Sequence, residues 1–179
     1  VLDLGAVGKG LACDDILSYL EGQADNLTKC AGESELFEIR QELEKYGYMR
    51  ASGSRRQIKQ LPPSQPMRFT TPDGHTILVG RNNLQNDKLT FSAQPNEVWL
   101  HAKDMPGSHV IIVGAEPDSD TILYAARIAA AYSKGGASSK VPVDYTEVKQ
   151  VKKPNGARPG MVIYFNQTTI MAEPLEEEK

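Results

Sequence analysis

Residues 96–112 read Asn-Glu-Val-Trp-Leu-His-Ala-Lys-Asp-Met-Pro-Gly-Ser-His-Val-Ile-Ile, and this stretch decides the fold. It contains the only tryptophan of the chain and two of its three histidines. A strand is predicted over 97–102, because polar or aromatic residues alternate there with Val98, Leu100 and Ala102. Pro106-Gly107 matches the central positions of a type II turn. The apolar run at 109–113 then predicts a second strand beside the first.

The predicted strand places Glu97, Trp99 and His101 on one face, because alternate residues of a strand share a side of the sheet. Such a row suits a recognition surface that stacks on a base or a peptide group. It also suits acid–base chemistry. In a third interpretation Trp99 belongs to the core, and Glu97 and His101 satisfy each other. The turn brings three further side chains close to the row, and these complete the predicted recognition surface: Lys103, Ser108 and His109.

The two histidines raise the question of a metal site with Glu97 or Asp104. Their spacing matches no zinc signature, and no cysteine lies nearby. A nucleophile–base pair of Ser108 and His109 is disfavoured, because adjacent strand residues point to opposite faces and no G-x-S-x-G elbow is present. The phosphate-binding pattern G-x-x-x-x-G-K-S/T is absent as well. The sequence predicts no catalytic residue, no metal and no cofactor.

The segments around this stretch predict an α+β fold with a mostly antiparallel sheet. One hairpin is predicted from 67–70 and 76–80, and a last hairpin from 161–165 and 168–172. Another strand is predicted at 141–148, and the polar segment 81–87 predicts a loop or a short capped helix. One long helix, capped at Asp118 and running through Ser133, has an alanine face that can pack closely on the sheet.

Residues 1–50 predict a helical hairpin or the end of a coiled coil. Apolar residues recur at helical spacing in 14–20 and in 34–43. Ser34 is expected to cap the second helix and Gly47 to end it. Residues 51–66 predict a linker, because Pro, small and polar residues dominate there. The sheet domain is expected at 67–173, followed by a frayed acidic tail at 174–179.

Composition indicates a globular chain, with 40% hydrophobic and 24% charged residues among 179. No apolar run approaches the roughly 20 residues that span a bilayer, so no membrane partner is expected. The start, Val-Leu-Asp-Leu-Gly, does not match a signal peptide and suggests a fragment of a longer protein. The two cysteines, Cys13 and Cys30, predict free thiols in a cytoplasmic protein.

Charge is distributed unevenly along the chain. Residues 1–50 carry ten acids and five bases, residues 51–172 nine acids and fourteen bases, and residues 173–179 four acids and one lysine. The basic middle segment favours a polyanionic partner, although a solvated surface explains the same charge. Lysines and loop amides are usual phosphate contacts. The predicted nucleic-acid-binding residues are Arg81, Lys134, Lys140, Lys149, Lys152, Lys153 and Arg158.

Residues 97–111, Glu-Val-Trp-Leu-His-Ala-Lys-Asp-Met-Pro-Gly-Ser-His-Val-Ile, resemble the signature of the NFACT-R domain. Three further blocks are similar to its bacterial members, at 78–87, 132–146 and 148–162. The likeness runs from about Met67 to Glu173, and 38–48 resembles the end of the family's coiled-coil middle region. The signature often has Asp at the position of Glu97, a change that keeps the carboxylate.

The resemblance implies a piece of a bacterial RqcH protein, a family also described as fibronectin- or fibrinogen-binding. Such proteins bind the large ribosomal subunit that carries a stalled nascent chain, and recruit alanyl-tRNA for template-free alanine tailing. The resemblance therefore implies an RNA- or ribosome-binding accessory domain without chemistry of its own. Its partners would be the large subunit and, through the full-length protein, alanyl-tRNA. The family's N-terminal domain and helix-hairpin-helix region are missing here, so tailing by this piece alone is not expected.

Two other functions stay open. An adhesin module that binds fibronectin or fibrinogen is motivated by the family's second description. A cryptic enzyme would use Glu97, His101 and His109, and a dry pocket joining the three would favour it. An indole buried in the core, with both imidazoles hydrogen-bonded to backbone, would exclude it. For the RNA-binding function, charge reversal at Lys152 and Lys153 is expected to weaken binding to all RNA sequences alike.

Overall fold

The computed structural model describes residues 9–30, 32–50, 62–114 and 116–176. Two helices come first, and a sheet domain with two further helices follows. The helices are α1 (Lys9–Thr28), α2 (Glu33–Lys45), α3 (Asn83–Ser92) and α4 (Ser119–Ala131). The strands are β1 (Met67–Thr70), β2 (Thr76–Val79), β3 (Val98–Ala102), β4 (Val110–Val113), β5 (Val141–Glu147), β6 (Val151–Lys152), β7 (Ile163–Tyr164) and β8 (Thr168–Ala172). A 3-10 turn, Val148–Gln150, joins β5 to β6.

Six strands form one sheet in the order β1-β2-β4-β3-β5-β8. All neighbours in it are antiparallel, and the register of β3 with β4 places Trp99 opposite Ile111. The prediction of an α+β fold with an antiparallel sheet is confirmed. The expectation of one long helix is not, because the described residues form four helices, and α1 with 20 residues exceeds α4 with 13.

The first face of the sheet is covered by α4. Val98, Leu100 and Ala102 belong to the core on this side, as the alternation in β3 predicts. The helix contributes small side chains, which let its backbone approach the strands closely. Asp118 caps α4 as expected, because its carboxylate accepts a hydrogen bond from the Thr121 amide at 2.8 Å. The buried alanines of this contact are Ala125, Ala126, Ala129 and Ala130.

The second face of the sheet packs on α3, the 3-10 turn and a two-stranded ribbon made of β6 and β7. Trp99 and Ile111 lie in this second core with Leu89, Val148 and Val151. Both faces of β3 and β4 are therefore buried. This explains why these strands carry apolar residues almost continuously.

The helix ends match the sequence in part. Of the two alternatives for 81–87, the capped helix is correct: the Asn82 side chain accepts a hydrogen bond from the Gln85 amide at 2.9 Å. Gly47 follows the end of α2 with a φ of 79°, as a helix-terminating glycine does. The prediction that Ser34 caps α2 is wrong. Gly32 holds that position in extended conformation, so the helix begins one residue before Ser34.

The predicted last hairpin is wrong. β7 pairs with β6 in the ribbon, whereas β8 pairs with β5 at the edge of the main sheet. The chain changes direction at Asn166, which has a φ of 54°, and the Thr146 hydroxyl holds the Phe165 carbonyl at 2.9 Å. Alternating apolar residues in 161–172 could not reveal that the two strands belong to different sheets.

Helix α2 docks on the sheet domain through a stripe of carboxylates, one turn apart. Glu35 pairs with Arg81 at 3.2 Å, and Glu38 accepts a 2.6 Å hydrogen bond from the Asn82 amide group. The third carboxylate, Glu42, is buried and accepts hydrogen bonds at 2.7 Å from Tyr19 and Gln23 of α1 and at 3.2 Å from Asn83. Burial raises the pKa of Glu42. Three consecutive residues at the start of α3 thus meet one face of α2: Arg81, Asn82 and Asn83.

The predicted linker lies mostly outside the described residues, which begin again at residue 62. Residues 62–66 run without regular structure, and Ser64 donates two hydrogen bonds to Glu38, at 2.9 Å from its amide and 2.6 Å from its hydroxyl. Residues 177–179 of the predicted tail are also outside this range. The proposed domain bounds stay a prediction. Within the part of the chain that the structure describes, no helix is long and apolar enough to cross a membrane.

We expect Glu38→Ala to lower the free energy of unfolding by about 1–3 kcal/mol. The substitution leaves the Asn82 amide, which is 1% exposed, without its carboxylate acceptor. Urea denaturation measures the change. Glu44→Ala is the matched control on the same helix, because Glu44 makes an i,i+4 pair with the exposed Arg40 at 2.9 Å and should cost about 0.5 kcal/mol or less. Equal effects of the two substitutions would contradict the docking role of Glu38.

Candidate functional site

The row predicted on β3 forms, but two of its three members are structural. Trp99 is fully buried, and Glu97 is 8% exposed. The Glu97 carboxylate accepts hydrogen bonds from the amides of Gln94 at 2.9 Å and Gly114 at 3.1 Å, so it joins the chain before β3 to the chain after β4 at one end of this antiparallel pair. Neither side chain offers a free recognition surface, and Glu97 does not contact His101 by a hydrogen bond among those described.

Three aromatic rings surround the Trp99 indole. His101 stacks on it with ring centroids 5.7 Å apart, and His109 meets it edge-on at 5.2 Å. Tyr164 of the ribbon lies at 4.8 Å. The indole nitrogen is buried and has no hydrogen-bond partner among the described residues. Packing therefore holds this ring in place.

His109 is 1% exposed, and its ring is held from two sides. Its Nδ1 lies 2.8 Å from the Thr90 hydroxyl, and a backbone hydrogen bond joins the ring to Gly160. Its own amide donates to the Asn86 side chain at 3.1 Å. Burial keeps the pKa of His109 well below its ordinary value, and the neighbouring His101 adds to this. The imidazole is therefore neutral near pH 7.

His101 is half-buried and close to the turn. Burial lowers the pKa of its ring, opposed by a backbone hydrogen bond with Gly107 and by the Asp144 carboxylate. Asp144 lies directly across from His101 in the register of β3 with β5. It accepts hydrogen bonds from the Tyr164 hydroxyl at 2.9 Å and from Thr169. Burial and the hydrogen bond to Asp144 raise the pKa of Tyr164.

Sequence reasoning missed the residues that hold the histidines. Asp144 could have been identified from the sequence, because it lies between Val143 and Tyr145 in a predicted strand. An acid is costly to bury there, so its presence indicates hydrogen-bond partners. Asn86 and Thr90 lie in a helix that was predicted only as an alternative, and no local pattern points to Tyr164. Of the other predicted surface residues, Lys103 reaches Thr169 at 3.4 Å and Ser108 is nearly buried.

Three of the predicted nucleic-acid-binding residues make internal contacts. Arg81 is paired with α2, as described above. Lys153 binds Asp87 at 2.5 Å and the carbonyl of Arg158 at 2.6 Å. The Arg158 guanidinium lies 4.8 Å from the ring centre of Tyr19 and 5.2 Å from that of Tyr48, in the helical hairpin. These three cations join parts of the fold. The sequence did not reveal this role, because their polar neighbours in the chain are typical of exposed residues.

The other four lysines are exposed. Lys134 pairs with Glu21 at 2.5 Å, Lys149 with Glu147 at 2.8 Å, and Lys140 reaches Glu173 at 4.0 Å. Lys152 lies 5.7 Å from the ring centre of Phe165, which is 47% exposed. Exposed ion pairs contribute little to stability, so a phosphate can compete for these lysines.

A cavity of about 330 Å³ opens between α1, the connection 104–107 and the loop 159–162. The predicted type II turn at Pro106-Gly107 is wrong: Gly107 has no positive φ and bridges to Ser133, whereas the chain turns at Asp104, which has a φ of 54°. His101, His109, Tyr19 and Tyr164 are among the residues that line it. The row on β3 thus reaches a groove, although only through His101. Among the described residues, no group of three or more His, Cys, Asp or Glu side chains could hold a metal ion.

Comparisons with known proteins agree with this architecture. A family model described as "NFACT protein RNA binding domain" matches residues 68–158. The chain is 48% identical over 146 residues to the Rqc2 homolog RqcH of Bacillus subtilis, covering 80% of this chain and 26% of that protein. It is 43% identical over 164 residues to the Rqc2 homolog RqcH of Streptococcus suis, covering 89% and 29%. The chain thus spans just over a quarter of the length of these relatives.

A solved structure is also similar. It is the C-terminal part of the fibronectin/fibrinogen-binding protein from Streptococcus suis, with a TM-score of 0.82 and 41% sequence identity. The match covers 92% of this chain and 66% of that one. Both parts described here, the helical hairpin and the sheet domain, therefore fall largely within the shared architecture.

We expect Gly80→Ala to be strongly destabilising. An added Cβ would lie 2.1 Å from the Asn86 side-chain oxygen and 3.1 Å from its backbone nitrogen. The Asn86 side-chain oxygen would have to give up its hydrogen bond from the His109 backbone N–H. Leaving this buried donor without an acceptor lowers the free energy of unfolding by about 1–3 kcal/mol. Urea denaturation followed by Trp99 fluorescence measures it. Gly22→Ala is the control, since its added Cβ would meet only the Pro106 side chain, at an ordinary contact distance of 3.5 Å. A stable Gly80→Ala protein would refute this packing.

We expect the free energy of unfolding to fall as the pH drops below about 6.5. The folded-state pKa values of His101 and His109 lie below the ordinary value of 6.5, so the unfolded chain binds more protons in that window. The contribution of the two neutral imidazoles to the free energy of unfolding is complete above pH 6.5. It is lost progressively as the pH falls from 6.5 to their pKa values in the folded protein.

Denaturation at several pH values between about 5 and 8 checks this dependence. His109→Gln should flatten the slope, because it removes one of the two buried imidazoles. The control is His75→Gln, since His75 is partly exposed and lies 3.3 Å from the exposed Asp73. An unchanged slope in His109→Gln would show that other groups cause the pH dependence.

Proposed function

The chain belongs to the family of NFACT protein RNA-binding domains, and from that premise we propose that it is an RNA-binding accessory domain of a ribosome quality control factor. The observation that carries the proposal is the match over 68–158, which contains β2 to β6, α3, α4 and all of β1 except Met67. The relatives' name, Rqc2 homolog RqcH, supports the link to ribosome quality control.

We place the RNA backbone on the exposed lysines. Exposed carboxylates or an exposed ring are the partners of four lysines: Lys134, Lys140, Lys149 and Lys152. Internal contacts instead hold Arg81, Lys153 and Arg158. Lys152 beside the exposed Phe165 combines a phosphate contact with a surface on which a base can stack. Lys103 is a further candidate.

In the whole protein, we propose that this domain helps bind the large ribosomal subunit with a stalled nascent chain in the cytoplasm. Recruitment of alanyl-tRNA for alanine tailing would then need the parts of the protein beyond this chain. The chain spans 26% of the Bacillus subtilis relative, which leaves most of the longer protein available for those contacts.

We propose no reaction for the histidines. The indole is buried, the His101 and His109 rings are bonded to backbone groups, and the Glu97 carboxylate is occupied by two amides. These contacts support a structural role for the cluster. A general base would need a free acceptor beside a substrate position.

A second candidate is binding of fibronectin or fibrinogen, favoured by the name of the similar Streptococcus suis structure. Immobilised fibronectin, immobilised fibrinogen and labelled tRNA, each offered to this chain at the same ionic strength, separate the two functions. Binding to either matrix protein without binding to tRNA would replace the proposal of RNA binding.

We expect Lys152→Glu to weaken binding to short RNAs of any sequence about equally, and to reduce the salt dependence of the affinity by about one phosphate contact. Fluorescence anisotropy at several salt concentrations measures both. Lys152→Arg is the control, because it keeps the charge. Lys153 is not suitable, since its reversal would break the pair with Asp87. Unchanged affinity in Lys152→Glu would remove Lys152 from the RNA surface.

A further inference from the structure

The cavity of about 330 Å³ has no assigned role. One wall is α1, which approaches so closely that a Cβ added at Gly22 would lie 3.5 Å from the Pro106 side chain. The opposite wall is the loop 159–162. Its volume is at the lower end of the about 300–1,000 Å³ of small-ligand sites, which suits one flat heterocycle and excludes a helix or a folded strand pair.

Flat rings line the cavity. His101 and His109 come from the sheet, Tyr164 from the ribbon and Tyr19 from α1. Both imidazoles are neutral at neutral pH, because burial lowers their pKa values. His109 and Tyr19 are buried, whereas His101 and Tyr164 are only partly buried and can stack on the face of a nucleobase. Such stacking contributes about 1–3 kcal/mol per base. Met105 and Met161 add flexible apolar contacts that adapt to a ring of either size.

Polar groups lie at the same cavity. Asn26 can donate and accept hydrogen bonds, whereas Asp25 and Asp104 can only accept. One oxygen of Asp25 is already paired with the Lys29 ammonium at 2.8 Å. The carboxylates disfavour a phosphate inside the cavity. Outside it, Lys134 donates its backbone amide to the Pro106 carbonyl, and Lys29 reaches the Ser133 carbonyl at 3.2 Å. Both lysines therefore lie beside the Pro106-Gly107 rim, where the phosphates flanking an inserted base would pass.

We propose that this cavity binds one unpaired nucleobase of an RNA strand, with the flanking phosphates outside on the rim lysines. The inference rests on the proposed function and adds a subsite to it. Carboxylates favour a base edge rich in N–H donors, and guanine offers such an edge. The site therefore prefers a guanine, and the lysines supply the part of the affinity that is independent of sequence.

Trp99 reports on this site. It is the only tryptophan, and it stacks on His101, whose ring lines the cavity. A base beside His101 changes the Trp99 emission, whereas a phosphate on an exposed lysine does not. The probes are short oligouridines with one central G, one central A or one central abasic ribose, which carry the same phosphate charge. Anisotropy measures total binding, and Trp99 emission measures occupancy of the cavity.

We expect the G-containing strand to bind at least about fivefold more tightly than the abasic strand and to change Trp99 emission. Ser18→Phe should abolish this difference, because Ser18 is an exposed residue of α1 that lines the cavity. Leu17→Phe is the matched control: it adds the same ring to α1 at a position that is 58% exposed and does not line the cavity. It should keep the difference.

A second variant tests the cavity independently, in case Ser18→Phe does not fold. Asp104 has a φ of 54°, which Asn also adopts readily, so Asp104→Asn removes the charge without backbone strain. It should reduce the preference for G over A. Equal binding of the G and abasic strands, or an unchanged preference in Ser18→Phe, overturns the base subsite while RNA binding stands.

If none of the strands binds at low salt, the proposed RNA-binding function fails. Titration with free guanosine then decides the cavity separately. If guanosine quenches Trp99 emission in the wild-type chain but not in Ser18→Phe, the result supports a base-binding cavity. If guanosine leaves the emission of the wild-type chain unchanged, the cavity proposal is overturned.

Discussion

Burial of the Trp99 side chain is the constraint on which the second half of the fold depends. A sheet with one covered face needs no ribbon, but an indole on the second face must be enclosed. The β6–β7 ribbon, α3 and the two imidazoles provide that enclosure. Removing such a side chain from a core costs about 3–5 kcal/mol. The histidines are therefore neutral because they complete this core, and the hydrogen bonds of His109 to Gly160 and Thr90 accompany its burial.

The helical hairpin is joined to the sheet domain by polar contacts rather than by a large apolar core. Its own buried cluster contains only Tyr19, Ile39 and Leu43 among the described residues. Carboxylates of α2 reach the start of α3, and Arg158 reaches back over the tyrosines of the hairpin. Charged groups in such contacts hold their partners in one orientation, because loss of one partner leaves the other buried. The same junction also builds the cavity, since α1 forms one of its walls.

The seven basic residues predicted to bind nucleic acid therefore divide into two groups with different roles. One group holds the parts of the protein together, and the other remains at the surface with weak carboxylate partners. The proposed RNA binding through the second group would leave the fold unchanged. The base subsite proposed beside Lys134 and Lys29 would distinguish a base from a phosphate, and charge on the surface alone cannot do this.

The sequence by itself determined the strands at 97–102 and 109–113, the Asp118 cap, the α+β class and the family, because alternation, capping and signature residues are local. Only the tertiary structure decided the pairing of β7 with β6, the burial of Trp99, and the partners of Arg81, Lys153 and Arg158. Each of these depends on residues distant in the chain. A basic residue on a solvated face and one at a junction have the same local sequence pattern. They are distinguished only by a partner that is distant in the chain, such as Asp87 for Lys153 or a tyrosine ring for Arg158.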